Sequence, residues 1–358
     1  MTRIYLVYFA CILQGWAASA QDDSFTGYAT ASIKEGIADI RTYGFRDAKK
    51  TIAYDSTTIQ PVGSVSKTVI GLAIMKAIEM GMLSLDADIN TYLDFPVKNP
   101  RVQHHRPITL RHLATHTSGI RDREKAYREA YTEGNLPTES LRDYLRSYFI
   151  PGGKRYATDN FGSDAPGDAY AYSNIGAALA AYVVESATKI PFDQFTERYI
   201  LQPLGMHHTH WFYRAEDATR YSRLFDGKDK AIDPYTLTTY PDGALKTTIA
   251  DLARYLQALA AGYRHQSPLL SEKSWDELFR KQFTDTHPVR NIDPKEPNSG
   301  IFFMHVKSGM IGHSGSDPGV SAMIFFDPVT GRGKVFMGNE DLNEKNLARF
   351  RQIWESLK

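Results

Sequence analysis

The chain has 358 residues, with 42 Lys+Arg against 41 Asp+Glu, one cysteine, 42% hydrophobic and 12% aromatic residues. A net charge of +1 supplies no excess positive field for a phosphate backbone, which excludes a dedicated nucleic-acid binder. Interspersed charges over so much apolar content exclude a disordered chain, and one cysteine excludes a disulfide framework or a cysteine-based zinc site.

At the N-terminus, Arg3 is the only charge ahead of an apolar run from Ile4 to Leu13, and Ala18-Ser19-Ala20 follows with a small-x-small cleavage pattern. The run is too short to span a bilayer. The pattern predicts a signal peptide over residues 1–20, cut after Ala20. The protein is then exported, periplasmic or secreted, with no stable membrane anchor after cleavage. Cys11 leaves with the leader, which suits an oxidising envelope. The 338 residues that remain (358 − 20) exceed what one core covers efficiently, so two lobes are expected.

From Tyr28 to Ile59 the β-branched and aromatic residues predict a meander of strands with a turn at Lys34-Glu35-Gly36. A helix follows Gly63. Its apolar residues, from Val69 to Met80, cover most of the circumference until Gly81 stops it, which places the helix in the middle of the protein. Helical segments are expected at Leu110–His116, Ser140–Tyr148, Ile175–Thr188 and Phe192–Leu201, and Thr248-Ile249-Ala250-Asp251 opens another. After Pro297 the stretches Ile301–Val306, Val320–Phe326 and Lys334–Met337 read as strands, and about Asn343 to Leu357 as a last helix. Strands at both ends with helices between them predict an α+β fold. One antiparallel sheet, flanked by helices, is built from both termini, and a mostly helical lobe is inserted. The expected boundaries are 21–83 and 245–358 for the two parts of the sheet lobe and 84–244 for the insertion.

Three spaced motifs carry the chemistry. Ser64-Val65-Ser66-Lys67 opens the buried helix, and a spacing of three puts Ser64 and Lys67 on one face, within reach of each other. Serine needs an adjacent base to act as a nucleophile, and lysine serves once burial lowers its pKa. A second copy, Ser186-Ala187-Thr188-Lys189, reads as a solvated helix end. Tyr172-Ser173-Asn174 supplies a phenol able to exchange protons with a neighbouring amine and an amide for a substrate amide. His313-Ser314-Gly315 precedes a strand. Gly315 admits a substrate backbone against the strand edge, where strand N–H groups and that of Ser64 surround a developing oxyanion. His313 and Ser314 are placed to bind a substrate carboxylate or orient a leaving group. Lys307-Ser308-Gly309 competes for the third motif but fits a hairpin turn.

The order and separations of these motifs resemble the penicillin-recognising serine hydrolases, which use Ser-x-x-Lys, Tyr-x-Asn and [Lys/His]-x-Gly in that order. Within them the chain is similar to the class C β-lactamase and serine DD-peptidase branch, from about residue 26 to 340. Ile108–Gly119, Pro203-Leu204-Gly205-Met206 and Gly312-His313-Ser314-Gly315 match as well. The resemblance implies a serine β-lactamase/DD-peptidase-like fold and an acyl-enzyme on Ser64. Lys67 and Tyr172 handle the proton, the N–H groups of Ser64 and Ser316 form the oxyanion hole, and Asn174 holds the substrate amide. It implies no metal or other cofactor and a small-molecule or peptide substrate. Efficient class C β-lactamases carry lysine where His313 stands and alanine where Ser173 stands. The departure points to simple esters or D-amino-acid-containing peptides, with weak or no β-lactamase activity. A true class C-type β-lactamase and a non-catalytic envelope binding protein are the alternatives. An α/β-hydrolase elbow is absent, because Gly312-His313-Ser314-Gly315-Ser316 lacks the final glycine. His112 and His116 lack the glutamate of a His-Glu-x-x-His zinc site and are expected to be satisfied locally.

Overall fold

Two stretches from opposite ends of the chain make the sheet. The structure, a computed structural model, describes residues 11–12, 24–102, 106–227 and 230–357. The expected signal peptide lies outside the described residues, except that Cys11–Ile12 runs parallel to Ala38–Asp39. Strands β1 (Gly27–Lys34) and β2 (Ile37–Gly44) are joined at Glu35 and Gly36, whose φ values of 51° and 76° suit a tight hairpin. The C-terminal stretch contributes β3 (Asn298–Ser299), β4 (Met304–His305), β5 (Ile311–Asp317), β6 (Val320–Phe326) and β7 (Gly333–Gly338). Neighbours run antiparallel in the order β2-β1-β7-β6-β5-β4-β3, so the two ends of the chain meet where Val335 pairs with Ala31.

Both faces of this sheet are covered, as the strand sequences require. Val335 and Met337 of β7 point into the main core, while Phe336 between them packs with Phe25, Tyr28, Phe350 and Ile353 on the opposite face. The central helix α1 (Lys67–Glu79) is buried from Lys67 to Met75, follows a tight turn at Gly63–Ser66, and stops before Gly81 at φ 72°. Helix α2 (Asn174–Thr188) packs along α1, and α3 (Ile249–Tyr263) lies across β1 and β7. Thr248 caps α3 by accepting the Asp251 N–H, and the terminal helix α4 (Leu347–Ser356) supplies Phe350 and Ile353 to the outer face. Each such fully buried side chain contributes about 1.5–3 kcal/mol. The architecture is the expected α+β one.

Several elements differ from expectation for identifiable reasons. Of 301–306 only Met304–His305 is extended. Ile301, Phe302 and Phe303 turn into the core, Phe302 at φ 59°, and a Cβ on Gly71 of α1 would stand 2.4 Å from the Ile301 carbonyl oxygen. The apolar triplet is thus used for packing on α1. Leu110–His116 stops at Ala114, because His116 adopts φ 55°. Phe192–Thr196 is α-helical but continues as a wider π turn through Leu201, and the last helix starts at Leu347.

Candidate active site

Ser64 sits in the turn before α1, half-buried, and Lys67 one turn on is fully buried. The Lys67 ammonium donates to Ser64 Oγ (2.9 Å), Asn174 Oδ1 (2.7 Å) and the Asp242 carbonyl oxygen (2.6 Å). Three hydrogens meet three acceptors, which is what makes a buried lysine tolerable. The two carbonyl acceptors hold Nζ in place.

Strand β5 lies against this turn, and His313-Ser314-Gly315, expected just before a strand, is part of β5 itself, where it pairs with β6. Its residues Ile311–Gly312 pair with β4, whereas 313–317 leave that edge free of strand partners among the described residues. Two glycines permit the approach. A Cβ on Gly315 would stand 2.0 Å from the Val62 carbonyl oxygen and 3.1 Å from the Ser64 nitrogen, and one on Gly63, at φ 54°, 2.9 Å from the Ser316 nitrogen. The amide nitrogens of Ser64 and Ser316 therefore stand on facing segments beside the hydroxyl, an arrangement suited to an oxyanion.

The Tyr172-Ser173-Asn174 segment enters from the start of α2. Asp122 secures it: one carboxylate accepts the Ser173 hydroxyl (2.7 Å) and the N–H groups of Asn174 (2.7 Å) and Ile175 (3.1 Å). Burial raises the Asp122 pKa above the usual carboxylate range, against these stabilising hydrogen bonds. With Oδ1 accepting from Lys67, Asn174 keeps its Nδ2 donors for a substrate. Lys67 Nζ lies 5.1 Å from the centroid of the Tyr172 ring, and the Tyr172 hydroxyl has no hydrogen-bond partner among the described residues. The motifs that the sequence singled out thus meet around Ser64.

His313 is buried, with Nδ1–H donating to the Ser314 carbonyl (2.6 Å). Burial first, then the Lys67 charge, lowers its pKa to about 3, so the imidazole is neutral and brings no charge to a carboxylate. Ser314 is half-buried and Ser316 exposed. Lys307 lies exposed in the hairpin turn before β5, and Lys189 ends α2 at φ 59° as a helix terminus.

Four groups around the site lie outside the three motifs: Asp122, His116, Asp242 and Asp317. The Asp242 carboxyl accepts the Tyr127 hydroxyl (2.9 Å) and that of Asp317 the Tyr131 hydroxyl (2.5 Å). Burial pushes both acids up to about 7, with Lys67 opposing the shift. Tyr127 and Tyr131 belong to the segment 124–133, which is thereby fastened beside the serine. Among the described residues no three of His, Cys, Asp or Glu are grouped to hold a metal ion.

A serine–lysine pair on a buried helix, facing the free edge of an antiparallel sheet, is the layout of the serine β-lactamase and penicillin-binding-protein class. The Beta-lactamase family profile matches residues 15–358, and the chain belongs to that family. It is 27% identical over 269 residues to PbpX of Bacillus subtilis (strain 168), covering 74% of this chain and 61% of that one. With a β-lactamase of Providencia stuartii it shares 23% identity over 268 residues, 75% of this chain and 62% of the other. The chain spans about three-fifths of the length of these curated relatives. Among solved structures, a β-lactamase/D-alanine carboxypeptidase from Pseudomonas syringae superimposes with a TM-score of 0.71 at 18% identity, over 94% of this chain and 95% of that one. A class C β-lactamase gives the same TM-score of 0.71 at 21% identity, over 94% and 92%.

Proposed function

We propose that the protein is an exported serine acyl hydrolase that works through an acyl-enzyme on Ser64 and acts on esters or D-amino-acid-containing peptides. The observation that carries this reading is Lys67, buried and held by two carbonyl oxygens with its remaining position on Ser64 Oγ. A binding module has no use for a serine so placed.

The geometry supports the following steps. The carbonyl carbon of the substrate lies over Ser64 Oγ with its oxygen toward the Ser64 and Ser316 N–H groups. Oγ attacks and its proton passes to the Lys67–Tyr172 pair. The oxyanion collapses, and the Lys67–Tyr172 pair returns the proton to the departing alkoxide or amine. Water then attacks the ester: its proton goes back through the same pair to Ser64 Oγ and its hydroxyl leaves with the acid. General base transfer of this kind contributes about 10²–10⁴-fold, and each oxyanion donor about 10²–10³-fold.

The neutral His313 supports esters and peptides recognised away from a free carboxylate, because a β-lactam or C-terminal peptide carboxylate gains no charged anchor from it. The fold neighbours favour a second reading, a class C-type β-lactamase. Parallel assays on p-nitrophenyl esters, D-alanyl peptides and nitrocefin separate the two. A fluorophosphonate probe should label the wild type and not Ser64→Ala, read by intact mass. Equal labelling of both removes Ser64 from the mechanism. The apolar run Ile4–Leu13 followed by the small-x-small pattern Ala18-Ser19-Ala20 supports export.

A further inference from the structure

His116 is packed against the site, and the steps above leave it unused. Its φ of 55° is left-handed, a conformation disfavoured for any residue with a Cβ and usual for glycine after a helix. Its backbone carbonyl, which a glycine would keep, accepts the Ala171 N–H (2.8 Å). What histidine adds over glycine is the ring, whose Nδ1 accepts the Ser173 N–H (3.2 Å). The residue between those two amides is Tyr172. The imidazole also lies 4.3 Å from the Tyr172 ring, tilted by 32°, and is itself wedged edge-on by Tyr170 at 5.9 Å and Phe302 at 5.7 Å. Burial first, then Lys67 and His313, hold His116 well below the ordinary imidazole range, so Nδ1 keeps its lone pair and Nε2 carries the proton. Since the Tyr172 hydroxyl has no partner among the described residues, the aim of that phenol is set from behind, by its backbone and ring.

We propose that His116 is a positioning residue for the reaction: it clamps the backbone on both sides of Tyr172 and braces its ring, keeping the phenol within reach of Lys67 and Ser64. The proposal rests on the reading of Ser64 as the acylated nucleophile. Its chemistry passes entirely through Tyr172, which separates it from a cap that merely ends a helix.

The test compares the full-length wild type with His116→Gly, His116→Asn and Tyr172→Phe, measuring burst acylation by p-nitrophenyl acetate and thermal melting. Glycine keeps the left-handed turn and the backbone carbonyl that holds Ala171 but loses the ring and its Nδ1 acceptor, whereas asparagine tolerates the turn and offers Oδ1 to Ser173. His116→Gly should lower the acylation rate constant by roughly 10- to 100-fold with little change in KM, the scale of an ångström's misplacement. His116→Asn should stay within about tenfold of wild type, and the glycine effect should largely vanish in a Tyr172→Phe background. A glycine variant as fast as wild type, a loss confined to KM, or an equal loss in both backgrounds overturns the proposal. If glycine does not fold, an asparagine variant slower than that bound overturns it. Ser64→Ala run alongside distinguishes the failures: labelling of that variant defeats the nucleophile, and wild-type behaviour of the His116 variants alone defeats the positioning.

Discussion

Substituting Gly315→Ala should damage the chemistry more than the fold. The new Cβ would stand 2.0 Å from the Val62 carbonyl oxygen, and carbon–oxygen contact needs roughly 3.3 Å, so β5 must withdraw from the serine turn by about 1 Å. An oxyanion donor works at about 2.7–3.1 Å and is lost at such a withdrawal, which corresponds to about 10²–10³ in kcat, or ~2.7–4 kcal/mol. Gly312→Ala is the control. Its Cβ would stand 1.9 Å from the Ile324 carbonyl oxygen, a comparable collision on the β6 side of the same strand. Stopped-flow acylation by p-nitrophenyl acetate, with the rate constant read separately from the burst amplitude, removes any contribution of unfolded protein. The expected result is a rate constant lowered about 100-fold or more for Gly315→Ala, with a far smaller effect for Gly312→Ala in whatever fraction folds. A folded Gly315→Ala protein acylating within about threefold of wild type refutes the placement of the Ser316 N–H in the oxyanion hole.

Two further outcomes follow from the buried titratable groups. Burial raises Asp317 from 3.8 to about 7, so between those values the folded chain holds a proton that the unfolded chain has lost. The contribution favours folding at low pH and is lost as pH rises through about 7. Asp317→Asn should therefore gain melting temperature relative to wild type between about pH 5 and pH 8, and a pH-independent difference would contradict the raised pKa. His313 is held neutral by burial and Lys67, with a pKa near 3. His313→Gln should leave the shape of the acylation pH profile unchanged between about pH 5 and 9, whatever its effect on rate, and disappearance of an ionisation near 6–7 would show that an imidazolium was in use.

The legible parts of this protein are those whose signal is local. Ser64 and Lys67 announce themselves because three residues make one helical turn. The long apolar helix is readable from its unbroken hydrophobic surface, and β6 and β7 from β-branched and aromatic runs of strand length. Ile301–Val306 misled for the same reason. An apolar run looks alike whether it extends in a sheet or turns onto a helix, and the open space at Gly71 decided for the helix. His116 was placed among locally satisfied histidines, since only its left-handed turn, invisible in composition, directs its ring to Ser173.

The amino-acid order by itself determined an α+β chain with a serine, an amine, a phenol and a His-x-Gly motif in a recognisable sequence. Tertiary structure decided what surrounds them. The Asp242 carbonyl reaches Lys67 across 175 residues and Asp122 holds Asn174 across 52, separations at which no periodicity links one residue to another. The charge states of His313, Asp242 and Asp317 were decided there too, because a pKa answers to burial and to neighbouring charges, and both exist only once the chain has folded.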